Sequence, residues 1–166
     1  MNKTSILKLI KSYPDIKNKG FEEGSEEQQV AALLVQQYIE TYPEQKDNET
    51  TTALVLRALQ DLGVRDYAMG LTNSDNLIHY ISTWNHLTTI APIKYRSAPA
   101  SILSTVVFEN GNLTIAKEWL SYADINYPLA NLLRRVYLAG WEPKSMAVMR
   151  ADLHPKVTAS IFQGAN

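Results

Sequence analysis

The chain has no cysteine. That excludes disulfide staples, thiolate nucleophiles and sulfur-ligated metal sites, and it suits a reducing compartment. Long apolar runs are also missing, since no window approaches the roughly 18 residues that a membrane span needs. The first residues, Met1 to Lys11, carry lysines but no continuous apolar stretch and no small-residue cleavage site. No secretory signal is read there, so a cytoplasmic location without membrane association is expected. Glycine is sparse, seven residues scattered one by one, which leaves no phosphate-cradling loop. Histidine is sparser, with three. His79 and His86 stand seven apart on one expected helix, about 10 Å along its axis, too far to share an ion. No metal and no cofactor is expected.

What is present is ordinary in amount and uneven in placement. The 166 residues are about one domain's worth, and a hydrophobic fraction of 45% is enough for a sizeable core. Net charge is −1, which favours neither nucleic acid nor an acidic ligand. From Glu22 to Glu49, however, eight acidic residues face one Lys46. From Arg134 to Lys156, five basic residues (Arg134, Arg135, Lys144, Arg150, Lys156) face Glu142 and Asp152. This is either two solvated surfaces of opposite sign or a dipole that orients a partner or a second copy.

Apolar side chains recur with a helical rhythm throughout. Ile6, Leu9, Ile10 and Tyr13 make one stripe. Ser25-Glu26-Glu27-Gln28 is a capping box that opens a helix with Val30, Leu33, Leu34 and Tyr38 as its expected buried stripe, ended by Pro43. A helix over about 51–62 is expected to end at Gly63, and a short one to close at Gly70. Thr72 is the expected cap of a helix carrying Leu77, Ile78, Ile81 and Trp84. Residues 98–130 read as a helical hairpin resembling one tetratricopeptide unit, with Leu103 and Val107 on its first helix, a turn at Asn110-Gly111-Asn112, and Ala116, Leu120 and Ala123 on its second. Leu129, Leu132, Leu133, Val136 and Tyr137 follow on another helix. Pro143 to Asp152 adds a short one, and a loose tail begins at Pro155. Thr105-Val106-Val107-Phe108 has strand chemistry, but the helical spacing on both sides overrides it. The expectation is an all-α fold, one domain over 1–166, of stacked antiparallel helix pairs. Residues 1–50 are divergent N-terminal helices, 51–143 the core, and 144–166 the short helix and tail.

Three stretches add a resemblance. They are Leu62-Gly63-Val64-Arg65-Asp66, Trp84-Asn85-His86-Leu87, and a run from Tyr95-Arg96-Ser97-Ala98-Pro99-Ala100 through Gly111-Asn112-Leu113 and Ala116 to Tyr127-Pro128-Leu129-Ala130. Their order and separation resemble the C-terminal, helical half of a mainly actinobacterial family known as domain of unknown function 4192, over about 62–143. The resemblance implies a helical fold and no particular chemistry. The lysine- and asparagine-rich composition points to a phage or mobile-element source.

Tests for reaction chemistry find little. Glu22-Glu23 and Glu26-Glu27 are explained by capping and the helix dipole. Asp61 and Asp66 lie near Arg65, either as an ion pair fixing a corner between helices or, for Arg65 and Asp66, as groups facing a groove. Tyr95 and Tyr122 fall off the apolar stripes, and exposed aromatics beside Arg134 and Arg135 suit a recognition surface. The expected role is therefore non-enzymatic. It is a binding or adaptor module engaging a protein partner, or a homo-oligomer, through Arg65, Asp66, Tyr95, Tyr122, Arg134 and Arg135. The alternative is a nucleic-acid-associated accessory protein using the Arg134–Lys156 region.

Overall fold

The computed structural model describes residues 1–16 and 20–163. They form helices α1 (Lys3–Lys11), α2 (Glu26–Thr41), α3 (Glu49–Ala58), α4 (Leu62–Gly70), α5 (Leu77–Ile90), α6 (Ser97–Glu109), α7 (Leu113–Leu120), α8 (Pro128–Leu138) and α9 (Pro143–Phe162). No strand occurs among the described residues. Most starts are fixed by side chains that satisfy otherwise orphaned N–H groups. Asn2, Ser25, Asn48, Asp61 and Asn112 each accept a hydrogen bond from a first-turn backbone N–H. At α8 and α9 a proline stands at the start, where its missing N–H costs nothing.

Buried side chains from Ile6 to Ile161 form one continuous cluster. Its axis is α6, in which every residue from Ala98 to Phe108 is buried. A helix apolar all round must be enclosed by others, and α6 packs on α5, α7, α8 and α9. The expected hairpin is present, with Gly111 at φ 85° in its turn. Its second helix is only α7, and Ile125 beyond it is 75% exposed. Ser104 ties the pair to α8: its hydroxyl donates to the Ala116 carbonyl at 2.7 Å and shares a 2.8 Å hydrogen bond with Tyr137. Burial pushes the Tyr137 phenol up to about 12, against the lowering effect of that bond.

Four expectations are corrected. On α2 the buried stripe is Gln28, Ala31, Ala32, Val35, Tyr38 and Ile39, whereas Val30 and Leu33 are 60% and 52% exposed. Ala31 and Ala32 let α2 pack against α3 and α4, and Val30 and Leu33 are left outside. Gly63 does not stop a helix. It lies in the first turn of α4, begun by Asp61, and a Cβ there would stand 2.7 Å from Gln28 Nε2. Thr72 is not a cap; its hydroxyl donates back to Met69, and Asn73 caps the following turn. Most consequentially, α9 does not stop at Asp152. It runs through Pro155 to Phe162 and buries Ile161 completely. Pro155 and Ala151, the residue whose carbonyl it leaves without a helical donor, are both exposed, so water is at hand to replace that bond. Residues 164–166 of the expected tail lie outside the described residues.

Candidate functional site

Helices α4, α8 and α9 enclose a cavity of about 390 Å³. Its floor is core: Leu129, Leu133, Val136 and Met146 are all buried. Its lips are Leu132, Trp141 and Leu153, at 46%, 41% and 44% exposure. Trp141 and Leu153 also border a shallower open depression with Val148, which is 52% exposed. Exposed large apolar residues on α8 and α9 thus adjoin one recess rather than standing scattered over the surface. Met69, Met146 and Met149 line the same recess, and unbranched thioether chains repack readily around different occupants.

The polar groups at the recess are held in place. Arg65 is buried and donates twice to Asp66 Oδ1, at 2.8 and 2.7 Å, and once to the Tyr127 hydroxyl at 3.2 Å. Burial opposes its charge, but Tyr127 and Asp66 outweigh that and raise its pKa. Arg150 donates to both Glu109 carboxylate oxygens at 2.8 and 2.9 Å, to the Thr72 carbonyl at 2.6 Å and to Ser74 Oγ at 3.1 Å. Lys156, by contrast, is exposed at the rim and makes no ion pair among the described residues.

The six residues expected at a binding surface are spread over separate parts of the fold. Arg65 and Asp66 line the recess together, as an ion pair that Asp61 does not join. Asp61 instead accepts from Val64 N–H, Gln28 Nε2 and Phe21 N–H, at 2.8, 3.1 and 2.6 Å. Tyr95 is a correction. It is buried, because the tight turn Ile93–Tyr95 sends the ring inward and leaves Ile93 79% exposed. Tyr122 is exposed, but the cation over its ring is Arg96, 5.1 Å from the centroid, rather than Arg134 or Arg135. Arg134 is engaged with Asn131 and the Leu120 carbonyl, beside a separate depression near Leu138. Arg135 is exposed on α8. Sequence reasoning missed the recess because half of it is α9. The usable signal was Met146, Met149, Leu153 and Val157, a stripe that continues past Pro155.

His154 also borders the recess. Its ring stacks against Tyr67, with centroids 5.4 Å apart, and lies so close to Gly70 that a Cβ there would stand 2.1 Å from Nδ1. Gly70→Ala is expected to cost about 1–3 kcal/mol in urea unfolding, because the rigid ring must move and this exceeds the gain in helix propensity. An unchanged midpoint would show that α9 shifts freely. Burial, and then the nearby Arg150, lowers the His154 pKa; burial also lowers that of His86, in part offset by its bond to the Lys46 carbonyl. The unfolded chain then binds these protons first. Stability is present above the ordinary value of 6.5 and falls as pH drops below it. Melting temperature should decline from pH 7 to 5, and the double variant His86→Gln/His154→Gln should flatten that slope.

The family model described as Domain of unknown function (DUF4192) matches residues 14–144. The chain belongs to this family. The match begins well upstream of Leu62, so it takes in α2 and α3 as well as the helices that carry the residue-level resemblance. No curated protein and no solved structure matches the chain. No helix among the described residues is long and apolar enough to cross a membrane.

Proposed function

We propose that this family member is a non-enzymatic binding module that takes an amphipathic helix of a protein partner into the recess between α4, α8 and α9. The observation that carries the reading is an apolar recess with a buried floor and half-exposed lips at Leu132, Trp141 and Leu153. A helix laying apolar residues into such a groove is a recurrent recognition mode, and an aromatic lip is a typical anchor. Arg65 and Arg150 are committed to internal partners, which supports a shaping role rather than a catalytic one. The rim cation Lys156, with Lys144 exposed on the same helix and Arg135 on α8, favours an acidic ligand helix. Cytoplasmic action is part of the proposal.

Selection of displayed random peptides on the purified protein tests it. Selected peptides should carry apolar residues spaced three and four apart with acidic flanks. They should bind with dissociation constants on the order of 1–10 µM and lose at least about tenfold, roughly 1.4 kcal/mol, on Leu132→Glu. Peptides indifferent to both Leu132→Glu and Trp141→Ala would overturn the reading. A second reading, single-stranded nucleic-acid binding, rests on the Arg96–Tyr122–Trp119 stack, in which Tyr122 is exposed and its two neighbours are half-buried. It requires oligonucleotide binding that weakens steeply with salt and fails in Tyr122→Ala.

A further inference from the structure

The outer face of α2 has no partner among the described residues. Glu26, Val30, Leu33, Gln37 and Glu40 are all exposed and spaced four, three, four and three apart, so they share one side of the helix. Two large apolar residues therefore stand in water between carboxylates. This is the ligand pattern that the recess calls for. The stripe from Glu26 to Glu40 spans roughly 21 Å, and the α9 wall from Met146 to Val157 roughly 16 Å, at 1.5 Å per residue. Charges match as well. Glu26 and Glu40 are exposed on the α2 face, and Arg135, Lys144 and Lys156 are exposed on α8 and α9 beside Glu142 and Asp152.

We infer that the occupant of the recess is the α2 outer face of a second copy of this chain. Val30 and Leu33 would sit between Leu132, Trp141 and Leu153, with Glu26 and Glu40 towards the basic rim. The two surfaces are different patches on different helices, so the contact is head-to-tail, and an open assembly keeps one free α2 face at one end and one free recess at the other. The inference rests on the binding reading above and specifies its partner.

Mass measurement by light scattering on the full chain provides the test. The wild-type mass should rise above the 18.7 kDa of one chain as concentration increases, and should fall back in high salt, because rim charges are screened. Leu33→Lys and Leu132→Glu each change an exposed residue, so both should fold with unchanged helical content. Each should need at least about tenfold more protein to associate. Mixed together, they should form a one-to-one dimer that grows no further, because one intact α2 face meets one intact recess. A mixture that stays at single-chain mass overturns the inference. So does a wild type that remains monomeric at about 1 mM. If selected peptides still bind the recess in that case, the groove takes a foreign helix; if they do not, the binding reading falls too.

Discussion

Arg150→Ala should destabilise the fold by about 3–5 kcal/mol, more than any other single replacement suggested by the structure. Arg150 and Glu109 are 8% and 3% exposed at their side chains, so removing the guanidinium leaves a carboxylate deep in protein with no counter-charge. The Thr72 carbonyl and Ser74 hydroxyl lose their donor in the same step. These contacts tie α9 to the end of α6 and to the turn after α4. At about 2–4 °C per kcal/mol for a chain of this size, melting should fall by on the order of 10 °C. Calorimetry of Arg150→Ala, Glu109→Gln and the double variant Glu109→Gln/Arg150→Met checks it. The double should cost clearly less than the sum of Glu109→Gln and Arg150→Ala, since no buried charge is stranded. Equal and additive losses below about 1 kcal/mol would show that the pair is hydrated.

Asp61→Ala comes second, with an expected loss of about 3–4 kcal/mol in denaturant unfolding. The residue is 2% exposed and its two oxygens accept three hydrogen bonds, one from the α4 first turn, one from Gln28 on α2 and one from the Phe21 backbone. Bonds to a charged acceptor contribute about 1.5–3 kcal/mol each, and an N-cap alone about 1. Asp61→Asn keeps one acceptor oxygen and replaces the other by a donor facing a donor, so it should retain the cap and lose about half as much. Equal losses for alanine and asparagine would mean that the cap contributes nothing and that the charge alone matters.

Much of this arrangement is legible in the chain. The Ser25 capping box forms as its spacing implies: Gln28 N–H donates to Ser25 Oγ at 3.2 Å. Gln28 also reaches back, but it accepts from Gly24 N–H and gives its amide to Asp61, a partner 33 positions away that no local pattern announces. The full burial of Ile102, Leu103, Val106 and Val107 follows directly from their density. The phase of α2 does not, because side-chain size and helix approach compete. Alanine is weakly apolar but permits the closest packing, and here closeness prevails over Val30 and Leu33. Pro155 misleads for a different reason. Proline costs a helix one hydrogen bond and a clash, yet a 20-residue helix anchored by Met146, Arg150 and Ile161 withstands that cost. That one residue hid Leu153, His154, Lys156 and Val157, four of the residues that line the recess. Tyr95 was misplaced because a three-residue turn inverts which side chain faces inward, and neither helical nor strand periodicity describes it.

The clasp between Glu109 and Arg150 also sets a clock on biosynthesis. The two residues are 41 positions apart, and at about 5–20 residues per second a ribosome takes roughly two to eight seconds to add that length. Through that interval a nascent α6 must keep its terminal carboxylate wet and its flank uncovered, so the helix at the centre of the finished molecule is the one whose enclosure is completed late.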